Sequence, residues 1–330
     1  VDVSVTKADG YADHSVRAEI YRNNTLICEN TSAVNAFAGY RNIESPSAHT
    51  ARLNLHLNSV ELWEPETPFL YKIVLSLIDA DGKTVDIEAA DIGFKKLEIK
   101  NGILYLNGKR LIVKGVNRHE HCPDGRTVST EHMIKEIKEM KRIGINSVRT
   151  CHYPDCPEWY RLCDRYGLLL ICECNLETHG MAGELSHDPS YSSLYLERAV
   201  RMVQTFKNHV SIYSWSLGNE SGFGASHAAM YGFIKEYDKD RLCQYEAGGP
   251  PKNISDIRGN MYAPISSIET MAADIIDDRP IIMVEYLYQI CNSGGGLYKF
   301  NDLIDKYQRF QGGYIWDWQD KSLIAHTDDG

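Results

Sequence analysis

The feature that most constrains this chain is a rhythm that begins after Lys100, where short apolar runs alternate with amphipathic segments. Apolar runs of this length indicate buried strands, and apolar residues three or four positions apart indicate helices that cover them. Eight strand-like runs can be counted, at residues 111–119, 147–152, 168–174, 211–220, 243–247, 256–262, 281–286 and 313–318. Helical patterns follow six of them, at residues 131–143, 158–166, 194–209, 225–238, 268–276 and 298–310, and the connection after the fifth run is uncertain. The repetition predicts a (β/α)8 barrel, the TIM barrel, over residues 101–330. An open doubly wound sheet is less favoured because no phosphate-binding glycine motif follows the first run.

The first hundred residues have a different period, because apolar side chains there recur at every second position. Leu53, Leu55 and Leu57 alternate with polar residues, and residues 71–77 repeat the pattern before a turn sequence at residues 79–82. Period two is typical of half-buried strands. Residues 1–100 are therefore predicted to form a β-sandwich of immunoglobulin-like type, without the Cys-Trp-Cys framework of antibody domains. We expect a supporting role for this domain rather than ligand binding.

Composition and charge disfavour several classes of protein. The 330 residues carry a formal net charge of -10, which makes nucleic acid and a polybasic membrane anchor poor candidates as partners. No apolar run approaches the roughly 18 residues that a membrane span requires. The nine cysteines contain no Cys-x-x-Cys pair, which favours a reducing, cytoplasmic compartment over a disulfide framework. Only residues 319–330 follow the eighth run, so we expect the barrel to lack its last helix and the natural protein to continue.

Polar side chains gather at the ends of the predicted strands, where barrels of this kind carry their chemistry. The clusters are residues 117–121, 149–154, 173–180, 219–221, 285–286 and 316–318. One such cluster arises easily by chance, but six that converge on one mouth predict an active site. Glu220 and Glu285 carry most of this prediction, because two carboxyls across a pocket suit cleavage of a glycosidic bond. A separation of about 5 Å gives retention and a wider gap gives inversion, while two ordinary ion-paired carboxylates are the structural alternative.

Five motifs resemble glycoside hydrolase family 2, and within it the large bacterial enzymes that cleave lactose. They are Gly115 to His121, Cys163 to Leu168, Glu177 to Gly180, Trp215 to Ser221 and Gly312 to Trp318. The resemblance spans about residues 110–330 in order, and residues 60–100 resemble the immunoglobulin-like domain that precedes the barrel in that family. It implies retaining hydrolysis of terminal β-galactosides such as lactose. It also implies that this chain is two middle domains of a longer homo-oligomeric enzyme.

The resemblance further implies roles for individual residues. Glu220 would be the general acid/base and Glu285 the nucleophile that forms a galactosyl-enzyme intermediate, with Arg149 orienting Glu285. The residues implied in substrate binding are His119, His152, Asn219, Tyr262, Tyr288 and Trp316. Glu177 and His179 would join Glu220 in a site for Mg²⁺, with Mn²⁺ as the alternative ion. The Na⁺ site of the family is expected to be incomplete in this chain.

One departure from the family pattern keeps alternatives open. The family reads Glu-Tyr-Ala-His after the seventh strand, whereas this chain reads Glu285-Tyr286-Leu287-Tyr288. Here a phenol replaces an imidazole that contacts the sugar, so the preference for galactose at its C6 hydroxyl is in question while the cleavage chemistry is not. A β-glucuronidase or β-mannosidase of the same family is therefore one alternative. A non-catalytic carbohydrate-binding fragment is the other.

Overall fold

The computed structural model describes residues 1–6, 13–36, 48–288, 290–291, 294–325 and 327. The chain divides into two compact units, one formed by Val1–Leu62 and Phe69–Phe94, the other by Trp63–Pro68 and Lys95–Gly330. The expected boundary at residue 100 therefore lies inside the second unit. Trp63 belongs to that unit because its side chain is fully buried and its Nε1–H donates to the carbonyl oxygen of Asp164 at 2.8 Å.

The first unit consists of two antiparallel sheets. Its strands are β1 (Asp2–Thr6), β2 (Ser15–Arg22), β3 (Thr25–Ala33), β4 (Asn35–Ala36), β5 (Ala48–Arg52), β6 (Tyr71–Ile78) and β7 (Thr84–Ile92). One sheet has the order β1-β5-β4 and the other the order β3-β2-β6-β7. Side chains from both sheets share one buried core that includes Val16, Ala18, Ala51 and Leu53. This two-sheet arrangement confirms the predicted sandwich.

The alternating pattern located one of its two strands correctly. Residues 71–77 lie in β6, and the turn after it closes when the Asp79 N–H donates to the carbonyl oxygen of Lys83 at 2.9 Å. The strand predicted at Leu53 to Leu57 was wrong, since these residues lie outside every ladder in the described part of the chain. Their side chains alternate between more buried and less buried. However, the carbonyl oxygen of Asn54 accepts from a side chain, Asn30 Nδ2 at 2.7 Å, and not from the backbone of a partner strand.

The second unit contains a barrel of parallel strands. It opens with a small antiparallel sheet of β8 (Leu97–Lys100), β9 (Ile103–Leu106) and β10 (Lys109–Arg110). The barrel strands are β11 (Val113–Arg118), β12 (Ser147–Thr150), β13 (Leu169–Glu173), β14 (Ile212–Ser216), β15 (Leu242–Gln244), β16 (Arg258–Met261), β17 (Ile281–Tyr286) and β18 (Phe310–Ile315). Because β11 pairs with both β12 and β18, the sheet curls back on itself and confirms the predicted barrel. Within the described residues no ladder joins β15 to β16.

Helices cover the outside of these strands. Those in the described residues are α1 (Thr130–Arg142), α2 (Pro157–Tyr166), α3 (Glu184–His187), α4 (Ser192–Phe206), α5 (Ala225–Tyr237), α6 (Ile265–Ala273) and α7 (Leu297–Lys306). Each begins or ends for a local reason. Ser129 Oγ caps α1 by accepting from the His132 N–H at 3.2 Å, and α2 ends at Gly167, whose φ of +77° suits glycine.

The structure decides the length of one predicted helix and the nature of the uncertain connection. The helix predicted at residues 298–310 was too long, because α7 ends at Lys306 and Phe310 already begins β18. Arg110 stabilises that end, since its guanidinium donates to the carbonyl oxygens of Ile304 at 3.0 Å and Phe310 at 2.9 Å. The uncertain connection after β15 contains turns instead of a helix.

The C-terminal residues bear on the expected missing helix. Residues 319–325 and 327 contain no helix, and residues 326 and 328–330 lie outside the described part of the chain. The absence of a closing helix therefore stays a prediction. No helix among the described residues combines the length and the apolar character needed to cross a bilayer.

Candidate active site

The centre of the barrel mouth is Arg149, a fully buried residue of β12. Its guanidinium donates to Glu173 Oε2 at 2.6 Å, to Glu285 Oε1 at 2.8 Å and to Asn219 Oδ1 at 2.7 Å. Burial acts to lower the pKa of Arg149, but the carboxyl groups of Glu173, Glu246 and Glu285 raise it above its usual value. The guanidinium therefore stays charged and links the ends of β12, β13, β14 and β17.

Glu285, in β17, is held at both carboxyl oxygens. Its exposed fraction is 4%, Oε1 accepts from Arg149, and Oε2 accepts from the Tyr262 O–H at 2.6 Å. The Tyr262 N–H also donates to the carbonyl oxygen of Glu285 at 2.9 Å. Burial and the hydrogen bond to Glu285 raise the pKa of Tyr262, so the phenol keeps its proton and remains a donor. Glu285 is thus fixed by one charged and one neutral donor.

An aromatic wall, formed by His119, His152, Trp316 and Tyr288, lies beside Glu285. Trp316 stacks on His152 with ring centroids 5.3 Å apart, and His119 meets both rings edge-on at 5.5 Å. The Tyr288 ring lies 6.4 Å from Trp316 in nearly parallel orientation and is 47% exposed. Flat rings of this kind offer a surface for the apolar face of a sugar.

The two histidines of this wall differ in their partners. His152 Nδ1 lies 2.7 Å from Glu173 Oε1, and its Nε2 lies 3.9 Å from Glu285 Oε1. His119 Nδ1 lies 3.1 Å from the Cys151 sulfur. Burial lowers the pKa of His119 to about 3, with a smaller contribution from nearby cations, so its ring is neutral in the physiological range.

Glu220 lies on a loop after β14 whose backbone is strained. Its φ is +35°, in the left-handed region that side chains disfavour, and φ is +130° at Gly218. A Cβ at Gly218 would come within 2.4 Å of the Leu176 carbonyl oxygen, so only glycine fits there. The Glu220 side chain, by contrast, is 38% exposed and has the His179 Nε2 3.7 Å from its Oε2.

Consecutive amides of this loop are bound by residues on neighbouring strand ends. The bonds are Asn219 N–H to Leu176 O at 2.8 Å, Glu220 N–H to Glu246 Oε1 at 3.2 Å and Ser221 N–H to the Tyr245 hydroxyl at 2.9 Å. A strained residue persists only where its surroundings hold it. The loop therefore takes its shape from neighbouring strands as much as from its own sequence.

Three buried polar residues of the site were missing from the predicted set: Asn117, Glu173 and Glu246. Asn117 Oδ1 accepts from Arg149 Nη1 at 3.0 Å. Burial alone would raise the pKa of Glu173, but Arg149 and His152 lower it below its usual value. Burial raises the pKa of Glu246 to about 8, and Glu173 and Glu285 add to this effect while Arg149 opposes it. Asn117 and Glu173 stand in the polar clusters predicted at the strand ends, but no role was predicted for either of them. Glu246 lies within the predicted run 243–247, where a carboxyl in a buried run was a signal that could have been read.

The three implied metal ligands lie near one another but do not form a closed set. Asn219 Nδ2 donates to Glu177 Oε1 at 3.1 Å, and His179 approaches Glu220 as described above. Within the described residues, the three-residue group whose ligand atoms all lie within 4.8 Å of one another is His119, Cys151 and His152 instead. By donor type, the two carboxylates and the imidazole of the implied set still fit a hard divalent cation.

The arrangement supplies two carboxyls with different capacities. Glu285 is buried and fixed against a cation, which suits attack on an electrophilic carbon. Glu220 is partly open to solvent, which suits gain and loss of a proton. Of the two carboxyls, Glu285 contacts the Tyr262 phenol directly, at 2.6 Å. Among the predicted site residues, the structure brings Arg149, Glu285, Tyr262, Asn219, His152, His119 and Trp316 into one connected cluster.

Solved structures confirm the fold at low sequence identity. A β-glucuronidase from Ruminococcus gnavus superposes with a TM-score of 0.74 at 20% identity, covering 95% of this chain and 58% of that one. A glycosyl hydrolase family 2 member from Bacteroides cellulosilyticus gives a TM-score of 0.74 at 22% identity, covering 96% of this chain and 41% of that one.

Curated relatives are more similar in sequence. The chain is 42% identical to the beta-galactosidase of Pectobacterium atrosepticum, over 100% of this chain and 33% of that protein. It is 44% identical to the beta-galactosidase of Photobacterium profundum, over 84% of this chain and 28% of that protein. The chain thus spans about a third of the length of the curated relatives it matches most fully.

Two family profiles cover nearly the whole chain. The profile described as "Glycosyl hydrolases family 2" matches residues 1–95, and "Glycosyl hydrolases family 2, TIM barrel domain" matches residues 97–330. The second match includes the strand ends that carry Arg149, Glu220 and Glu285. The predicted resemblance is confirmed: this chain belongs to glycosyl hydrolase family 2.

Proposed function

We propose that the protein carrying this chain hydrolyses terminal β-galactosides, lactose among them, with retention of configuration. The observation that carries the proposal is the fixed position of Glu285, whose two carboxyl oxygens accept from Arg149 at 2.8 Å and Tyr262 at 2.6 Å. Glu220, more exposed, supplies the second carboxyl that the reaction needs. The choice of galactose follows the beta-galactosidases at 42% and 44% identity.

The first step forms a covalent glycosyl-enzyme. Glu285 Oε attacks the anomeric carbon as the bond from that carbon to the leaving oxygen breaks, and Glu220 gives its proton to the leaving oxygen. In the second step Glu220 takes a proton from water, the water oxygen attacks the anomeric carbon, and the ester to Glu285 breaks. Two inversions give net retention. Arg149 stabilises the carboxylate that leaves.

The remaining predicted residues bind and orient the sugar in this proposal. Trp316 and Tyr288 offer ring faces, and His119 and His152 offer ring nitrogens to sugar hydroxyls. Asn219 is held from both ends of its amide, by Arg149 and by Glu177, and would bind the 2-hydroxyl. A hydrogen bond there that strengthens in the transition state is a known contribution to glycoside cleavage.

We also propose Glu177, His179 and Glu220 as ligands of Mg²⁺ or Mn²⁺. The donor set supports this, because hard cations prefer carboxylate oxygen. A bound cation would supply positive charge beside Glu220, and no proton transfer above is assigned to it. The incomplete Na⁺ site, the homo-oligomeric parent and the cytoplasmic location belong to the same proposal and rest on the family resemblance and the cysteine pattern.

The test uses aryl β-galactoside, β-glucuronide and β-mannoside with the protein at its full natural length, with and without Mg²⁺. We expect turnover of the galactoside, with the β-anomer of galactose as the first product seen by NMR. A 2-deoxy-2-fluoro galactoside should label Glu285 in peptide mapping, and Glu285→Gln is the unlabelled control. Faster turnover of the glucuronide or mannoside would contradict the choice of sugar. Galactose binding without any turnover would indicate a carbohydrate-binding protein instead.

A further inference from the structure

We propose that Glu246 is a positioning residue that holds the acid/base residue Glu220 in its working conformation through the backbone. This inference rests on the function proposed above. Glu246 lies just after β15 and is 6% exposed. Neither the sequence motifs nor the reaction steps given above use it.

The first support is a hydrogen bond at a strained residue. Glu246 Oε1 accepts from the Glu220 N–H at 3.2 Å, and Glu220 has a φ of +35°. A non-glycine residue in such a conformation is energetically unfavourable and requires contacts that hold it. Glu246 supplies one of these contacts from a different strand.

The adjacent residue repeats the arrangement on the adjacent amide. The hydroxyl of Tyr245 accepts from the Ser221 N–H at 2.9 Å. Two consecutive side chains after β15 therefore bind two consecutive amides of the loop after β14. On the other side of Glu246, Gly259 in β16 leaves the space that the side chain occupies, since a Cβ there would lie 3.2 Å from Glu246 Cβ.

The cost of the arrangement argues for a function. Glu246 Oε2 is buried and has no hydrogen-bond partner in the described part of the chain. A buried polar atom without a partner destabilises the folded state, so a position that served packing alone would favour an apolar side chain. The carboxyl at this position therefore has a function that outweighs the stability lost by burying it.

Holding the backbone leaves the catalytic carboxyl free. A general acid/base must release a proton and take one back in each cycle, so strong donors fixed to its oxygens would hinder it. The bond from Glu246 to the Glu220 amide fixes where the carboxyl points without occupying its oxygens, which stay available to the substrate and to the proposed cation. A displacement of about 1 Å can cost about a hundredfold in rate.

The test compares Glu246→Leu with Glu246→Gln in the full-length protein, using a series of substrates that differ in the leaving group. The sugar is the one that the wild-type protein hydrolyses in the panel above. Leucine removes the acceptor, and glutamine keeps an acceptor oxygen of similar size. For a phenyl glycoside, whose leaving oxygen needs a proton, we expect kcat/KM of Glu246→Leu to fall about a hundredfold.

For a 2,4-dinitrophenyl glycoside, whose leaving group departs without a proton, kcat/KM should stay within about threefold of wild type. This substrate also shows that the variant is folded. Deglycosylation needs Glu220 as the base that takes a proton from water. Azide attacks without a base, so added azide should raise kcat of Glu246→Leu. Glu246→Gln should restore most of the rate on the phenyl glycoside.

Glu136→Gln is the matched control, because Glu136 is a buried carboxyl that binds Arg118 and has no bond to the Glu220 loop. The dependence of its kcat/KM on the leaving group should equal that of wild type. An equal loss on both substrates, or an equal loss in the leucine and glutamine variants, would overturn the positioning role. Failure of the proposed function would give a different result, because wild type would then hydrolyse no sugar of the panel. That result would also overturn the role of Glu246.

Discussion

Glu285 and Glu220 lie at the ends of two barrel strands, and neighbouring residues bind different atoms of each. Glu285 is 4% exposed, and donors occupy both of its carboxyl oxygens. Glu220 has a side chain that is 38% exposed, and its backbone amide is what neighbouring residues bind. The comparison teaches that one fold can hold one carboxyl at its oxygens, as the proposed nucleophile requires, and another only at its amide, as the proposed acid/base requires.

The difference follows from where each residue lies on its strand. Glu285 is inside β17, so its backbone is held by pairing with Met261 of β16, and its side chain points into the cluster around Arg149. Glu220 lies beyond the end of β14, in a loop whose shape depends on Gly218 and on contacts from β15. Side-chain bonds are needed to orient the first residue and backbone bonds to orient the second.

The largest effect is expected at the fixed carboxyl. Glu285→Gln keeps the shape and most hydrogen-bonding capacity but removes the charge and the nucleophile, so kcat/KM on an aryl β-galactoside should fall at least about 10⁴-fold. Thermal melting should show a folded protein. A rate near that of wild type would mean that Glu285 is not the nucleophile.

Acid should destabilise the part of the fold next to the Glu220 loop through His227. This ring is fully buried, stacks on Tyr245 at 4.4 Å, and burial lowers its pKa to about 4. Since the unfolded pKa is about 6.5, the neutral ring's full contribution to stability is present above pH 6.5. It is lost as the pH falls towards 4, by up to about 3 kcal/mol.

His227→Phe should therefore flatten the decline in the free energy of unfolding between pH 6.5 and 4.5, measured by urea titration. Between pH 7 and 9 the ring is neutral in both states, and the difference between variant and wild type should be constant there. An unchanged decline in the variant would assign the acid sensitivity to other groups.

Removing one of the two donors to Glu285 should have a moderate effect. Tyr262→Phe deletes the bond to Oε2 while Arg149 still holds Oε1, so we expect kcat/KM to fall about tenfold, the equivalent of about 1.4 kcal/mol. If the rate is unchanged, the phenol does not contribute to orienting the nucleophile and Arg149 alone suffices.

The smallest effect concerns the sugar. Tyr288→His restores the imidazole of the family pattern, and it should raise the preference for a galactoside over its 6-deoxy analogue by about fivefold. The measurement is the ratio of the two kcat/KM values, with absolute rates as the control for folding. An unchanged ratio would show that Tyr288 does not contact the C6 position.

Much of the barrel could be read from the sequence, because strand burial leaves a pattern in the residues themselves. The run at residues 281–286 coincides with β17, and Ser147 begins β12 as predicted. The run at residues 211–220 extends too far, since β14 ends at Ser216 and positive φ values at Gly218 and Glu220 break the strand. Periodicity reports burial, and it does not report backbone dihedral angles.

The site residues also differ in how far a local sequence pattern could locate them. Arg149, Glu220 and Glu285 stand in motifs at strand ends, so pattern and family resemblance located them. Glu246 lies inside the shortest of the predicted runs, residues 243–247, and no helical pattern after that run drew attention to it. Its significance depends on a hydrogen bond to a residue 26 positions away along the chain, which no local pattern records.

By itself, the sequence determined the sandwich, the barrel and the family, and it predicted the two glutamates, because hydrophobic period and chemical type are properties of the chain. Only the tertiary structure decided how those glutamates are held. Whether a carboxyl is fixed by its oxygens or by its amide depends on which strands the barrel brings side by side. That proximity comes from packing eight strands around one core.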